Sequence, residues 1–119
     1  MGAWFHRVIL AFILGCVVIS PGSAAEDDGS QVKILRPQHG AVVQGDTLEL
    51  EYDLIKGHKA AHAHVYLDGT YQKGFTGSFK NLAPGKHEIR VVASTKDHTL
   101  LAAQASVTIE VQTAGETGY

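Results

Sequence analysis

From residue 32 onward, apolar and polar side chains alternate with a period of two, the repeat of a strand that buries one face and wets the other. Val32 and Ile34 open the pattern, and Pro37 closes that strand. Leu48, Leu50, Tyr52 and Leu54 then alternate with Glu49, Glu51 and Asp53. In Ala61–Leu67, the residues Ala63, Val65 and Leu67 share one face, and His62, His64 and Tyr66 share the other. Thr70–Leu82 reads as two short strands around Gly74 and Gly77, with Phe75 and Phe79 as core candidates. His87, Ile89, Val91 and Ala93 form a further inward face, and Ala105, Val107, Ile109 and Val111 another. Turn residues separate these runs: Gln38–Asp46 with two glycines, Ile55–Ala60, the hairpin signal Asp68-Gly69, Ala83-Pro84-Gly85, and Thr95–Thr99. No sustained 3.6-residue apolar period follows residue 25. The pattern predicts an all-β antiparallel sandwich of about seven strands over residues 32–112. A short polar linker is expected at 26–31 and a flexible tail at 113–119.

The first 25 residues follow a different rule. Arg7 supplies a positive charge, Val8–Ile19 is an apolar run broken only by Gly15, and Pro21-Gly22 ends it. Ser23-Ala24-Ala25 then offers small residues at a signal peptidase site, and acidic Glu26-Asp27-Asp28 follows. The run is shorter than the roughly 20 residues that a bilayer span requires. Met1–Ala25 is therefore expected to be a helical signal peptide, which places the mature chain in the periplasm or outside the cell with no stable membrane span. The alternative uses Ile13-Leu14-Gly15-Cys16, which resembles a lipobox and would leave a lipoprotein anchored through Cys16. The apolar run continues past Cys16 as Val17-Val18-Ile19, which departs from that pattern.

Composition narrows the function. A chain of 119 residues with 45% hydrophobic and 18% charged residues makes one ordinary globular domain. A net charge of -2 argues against nucleic-acid binding by phosphate neutralisation. The single Cys excludes an intramolecular disulfide and any Cys-rich zinc module. Removing 25 of the 119 residues leaves 94, which hold six of the seven His and neither Cys, Met nor Trp. No nucleophile elbow, phosphate loop, zincin helix or dinucleotide fingerprint occurs, so a non-catalytic chain is expected.

Two resemblances add to this. Pro37-x-x-Gly40-Ala41-Val42-Val43-x-Gly45, an alternating strand, and Leu82-Ala83-Pro84-Gly85-Lys86-His87 leading into Ile89-x-Val91 resemble the immunoglobulin-like and fibronectin-III-like modules of exported bacterial proteins. More narrowly, His62-Ala63-His64-Val65-Tyr66-Leu67-Asp68, Pro84-Gly85-Lys86-His87 and Asp97-His98 are similar to small, His-rich exported domains of unknown function. The longer His-rich insertion of those domains is missing here. The resemblance implies an immunoglobulin-like sandwich and no catalytic residue.

In an immunoglobulin-like strand order, Ala61–Leu67 and His87–Ser94 are antiparallel neighbours. The start of the first then lies beside the end of the second. His62 and His64 point to one face, about 7 Å apart, and the flanking loops carry His58, Asp97 and His98. These five residues are the candidate metal ligands. Imidazole and carboxylate donors suit copper(II) or zinc(II), while the absence of Cys and Met after residue 25 disfavours soft-ligand sites. His87 shares a face with Ile89 and Val91 and is expected to have a structural role at a strand corner; His39 is expected in solvent. The function expected is therefore an exported binding module for a divalent metal ion. The alternative is a structural or protein-interaction accessory domain, without metal, that docks an exported partner.

Overall fold

The computed structural model describes residues 24–113. It contains nine strands: β1 Gln31–Arg36, β2 Val42–Gln44, β3 Leu48–Glu49, β4 Glu51–Ile55, β5 His62–Leu67, β6 Thr70–Tyr71, β7 Ser78–Phe79, β8 Gly85–Ser94 and β9 Leu100–Gln112. One layer is built from β1 antiparallel to β4 and β3 antiparallel to β7. Only Leu50 separates β3 from β4, so a single run of chain serves both pairings. The other layer has the order β2-β9-β8-β5-β6. The inward residues predicted from the alternation meet between the layers: Leu50, Val65, Phe79, Ile89, Val91, Val107, Ile109 and Val111 are buried together, with Val32, Ile34, Tyr52, Ala63 and Leu67 packed against them. Ile89 and Val91 retain 0% exposure, and each such side chain contributes about 1.5–3 kcal/mol when fully buried. The all-β sandwich is therefore the observed fold.

Two details differ from the expectation. Gln38–Asp46 is not all loop: β2 runs through it and pairs parallel with β9, Val43 opposite Val111, so the sheet is not purely antiparallel. Three residues are too few to display a period, and flanking Gly40 and Gly45 disguise them as a turn. The strand count exceeds seven because four of the nine strands are only two or three residues long. Among the described residues no helix is long and apolar enough to cross a membrane. The expected signal peptide, the Cys16 lipidation site and most of the expected tail lie outside the described residues.

The segment 26–30 ahead of β1 is docked. Glu26 bridges to Leu101 in parallel, and its carbonyl accepts a 2.8 Å bond from Ala102 N. The buried Asp28 carboxylate accepts from Ser30 Oγ at 2.9 Å, Ser30 N at 3.0 Å, Lys59 N at 2.8 Å and Ala60 N at 2.9 Å. Burial alone would raise its pKa, but these four donors outweigh that and bring it down to about 2. Asp28 thereby ties the N-terminal segment to the β4–β5 loop.

The β5–β6 hairpin turns on Asp68 and Gly69, both at positive φ (51° and 85°), the backbone that a two-residue primed turn requires. Asp68 does more than turn the chain. Its Oδ2 lies 2.6 Å from His87 Nδ1, its Oδ1 accepts from Glu88 N at 2.8 Å, and His87 Nε2 lies 2.6 Å from the Ala83 carbonyl. His87 therefore has the corner role expected of it.

Candidate metal centre

The β5–β8 register sets the site. His62 lies opposite Ser94, His64 opposite Val92 and Tyr66 opposite Arg90, so the start of β5 abuts the end of β8 as expected. The Thr95–Thr99 loop then folds back and carries His98 over the same face. His62, His64 and His98 each offer one ligand atom, and these atoms all lie within 4.8 Å of one another. Ring centroids are 5.2 Å apart for His62 and His64, 5.0 Å for His62 and His98, and 5.2 Å for His64 and His98.

The other two candidates fall outside this group. The Asp97 carboxylate accepts the Thr95 hydroxyl within its own loop. That hydroxyl is the first cause of the downward shift in the Asp97 pKa. His58 is exposed in the β4–β5 loop, where its backbone N donates to the Asp28 carbonyl at 3.0 Å. Adjacency in sequence places both residues near the rim, but the Asp97 carboxylate is engaged within its own loop and the His58 backbone is tied to the N-terminal segment. His39 is exposed, and its Nδ1 accepts from Thr108 N at 3.1 Å.

His64 Nε2 and His98 Nδ1 are paired in a hydrogen bond of 3.1 Å, with either ring able to donate according to its tautomer. Two nitrogens bound to one tetrahedral ion through bonds of 2.0–2.1 Å stand about 3.3 Å apart, so this pair is already at chelating distance. Nε2 of His62 is buried with no hydrogen-bond partner among the described residues, a free lone pair or an unsatisfied N–H. The His62 and His64 rings are nearly parallel, with 20° between their planes. Imidazole lone pairs lie in the ring plane, so His62 must rotate before both rings can point at one ion. Burial pushes the His64 pKa below its ordinary range, and the neighbouring His62 and His98 push it the same way. A ring kept neutral has its lone pair available to a metal at neutral pH.

An aromatic strip continues from the site. Tyr71, 42% exposed, stacks on His64 at 4.6 Å and meets Tyr66 at 5.7 Å, and the Arg90 guanidinium sits 5.1 Å from the Tyr66 ring. Tyr71 was not among the expected site residues. Its signal was present, because a two-residue turn at Asp68-Gly69 pairs Tyr71 with Tyr66 on the face that holds His64.

No protein-family model matches this sequence, and no curated protein matches it. Among solved structures, a fibronectin(III)-like module of Clostridium thermocellum CbhA superimposes with a TM-score of 0.54 at 24% identity, over 71% of this chain and 99% of that one. The chain is a fibronectin-III-like, immunoglobulin-like sandwich. The PKD domain of human KIAA0319 gives a TM-score of 0.49 at 12% identity, over 88% of this chain and 98% of that one. The likeness concerns the fold and leaves the histidine cluster to be read from its own geometry.

Proposed function

We propose that this chain is an exported, non-catalytic binding module that holds one divalent metal ion, copper(II) or zinc(II), between His62, His64 and His98. One observation carries the reading: three imidazoles from two separate segments place ligand atoms within 4.8 Å of one another. Imidazole is a common ligand for both ions. Three protein ligands leave a coordination position for water or a further donor.

Isothermal titration of the untagged protein with copper(II) and with zinc(II) tests it. Binding of one ion per chain at submicromolar affinity is expected. It should disappear in the His62→Ala/His64→Ala double variant while far-UV circular dichroism is unchanged. Affinity no tighter than micromolar, or full affinity in the double variant, refutes the reading. A second reading, an accessory domain that docks a protein partner, is favoured by the edge of the large sheet: β6 pairs with β5 only at Tyr66 and Leu67, which leaves the His62–His64 stretch of β5 without a strand on that side among the described residues. It predicts a copurifying partner whose retention does not depend on metal.

A further inference from the structure

Of the three clustered imidazoles, His98 alone is held by a loop, and it is the one with an unfavourable backbone. Its φ is 70°, in the left-handed region that a side chain with a Cβ enters only when its surroundings hold it there. The loop supplies that hold through one residue. Thr95 N donates to the Thr99 carbonyl at 2.9 Å, and the Thr95 carbonyl accepts from His98 N at 3.0 Å. The Thr95 hydroxyl accepts from Thr99 N at 3.0 Å and donates to the Asp97 carboxylate. The donors and acceptors on both sides of His98 thus converge on Thr95, and the Asp97 carboxylate is engaged by the same hydroxyl and by Thr99.

We infer that Thr95 and Asp97 are positioning residues for the third ligand: their hydroxyl–carboxylate pair locks the 95–99 loop so that the His98 ring stands 3.1 Å from His64 before any ion arrives. This rests on the metal reading proposed above. It also gives Asp97 a role other than the ligand role first expected of it. Outer residues that orient metal ligands typically govern affinity by 10–100-fold. A loop ligand needs such support more than His62 and His64, which the β5 ladder already fixes.

The test uses Thr95→Val, which keeps the shape and removes the hydroxyl, Thr95→Ser, which restores it, and Asp97→Ala. Two readouts are needed. In the metal-free protein, imidazole ¹⁵N spectra report the His64–His98 hydrogen bond; it should be lost in Thr95→Val and Asp97→Ala and kept in Thr95→Ser. In titrations with copper(II), the first two variants should bind about 10–100-fold more weakly. Electron paramagnetic resonance should show one nitrogen ligand fewer than wild type. Thr95→Ser should match wild type in both. If Thr95→Val unfolds, Asp97→Ala carries the test, since it retains the Thr95 hydroxyl that accepts from Thr99 N. Wild-type ring spectra and wild-type affinity in the folded variants overturn the inference. A wild-type protein that binds no copper, but whose ring hydrogen bond still depends on Thr95, overturns the metal reading and leaves the loop lock standing.

Discussion

At the scale of single residues, His87 shows how a side chain's neighbours fix its charge. Both of its ring nitrogens face acceptors, the Ala83 carbonyl and the Asp68 carboxylate, so the doubly protonated ring is favoured and its pKa is raised. For Asp68, burial alone would raise the pKa, but the bonds from His87 and Glu88 N outweigh it and the net shift is down. A His with a raised folded pKa contributes stability that is complete below its unfolded value, about 6.5, and is lost as pH rises through the folded value. An Asp with a lowered folded pKa contributes above its unfolded value, about 3.9, and loses that contribution as pH falls through the folded value. The pair is thus at full strength between about pH 4 and 6.5. Asp68 is 47% exposed, so solvent screens the pair and its worth is held to about 1 kcal/mol. Urea denaturation of His87→Gln against wild type should show that gap at pH 5.5 and a smaller one at pH 8.5. A gap that widens with pH would show that the ring is neutral in the fold. The histidine cluster obeys the opposite logic, since burial and like charge at His64 favour the neutral ring. Of its members, His64→Ala should weaken copper(II) binding most in a titration series, because His64 alone is both buried and hydrogen-bonded to another member.

At the scale of elements, the docked N-terminal segment and the β4–β5 loop depend on Gly57. A Cβ there would lie 2.6 Å from Ser30 N and 2.7 Å from Gly29 C, and closer still to the Asp28 carbonyl, all of them backbone atoms that cannot swing aside. Gly57→Ala is expected to cost about 1–3 kcal/mol and to expose residues 26–30 to limited proteolysis. Unchanged stability and unchanged cleavage would show that the segment is not held there. This contact could not be read from the sequence, in which Glu26-Asp27-Asp28 looks like a solvated charge run. Nothing local signals that Asp28 is buried against backbone donors from Lys59 and Ala60, 31 and 32 residues away. The long strands were legible because alternation over five or more residues is set by burial, and β8 and β9 carry it plainly. β2 was not, because three residues give no period and its parallel partner β9 is far along the chain. In the site, His62 and His64 were legible from strand parity, and His98 from its place in the adjoining loop. Asp97 falls outside the cluster, because sequence shows adjacency and not which acceptor a Thr hydroxyl will claim.

At the scale of the whole molecule, an ion bound between β5 and the β8–β9 loop would be a cross-link within the larger sheet. An ion that binds only the folded chain stabilises it by mass action, about 2.7 kcal/mol when free metal is 100 times the dissociation constant. For a domain of this size that corresponds to a rise in Tm of roughly 10–20 °C. Thermal unfolding of the wild-type protein should therefore shift upward with added copper(II) or zinc(II) at neutral pH, in proportion to the logarithm of free metal. The shift should fade toward pH 5, where protons compete for the imidazole lone pairs. The His62→Ala/His64→Ala variant should unfold at one temperature with or without metal. Partial binding by the unfolded chain would reduce the rise, since its histidines also attract metal, but would not equalise the two proteins. An equal rise in both would place the metal elsewhere on the chain. The absence of any rise in wild type would leave the three imidazoles as a packed cluster beneath Tyr71, with the open edge of β5 as the feature that calls for a partner.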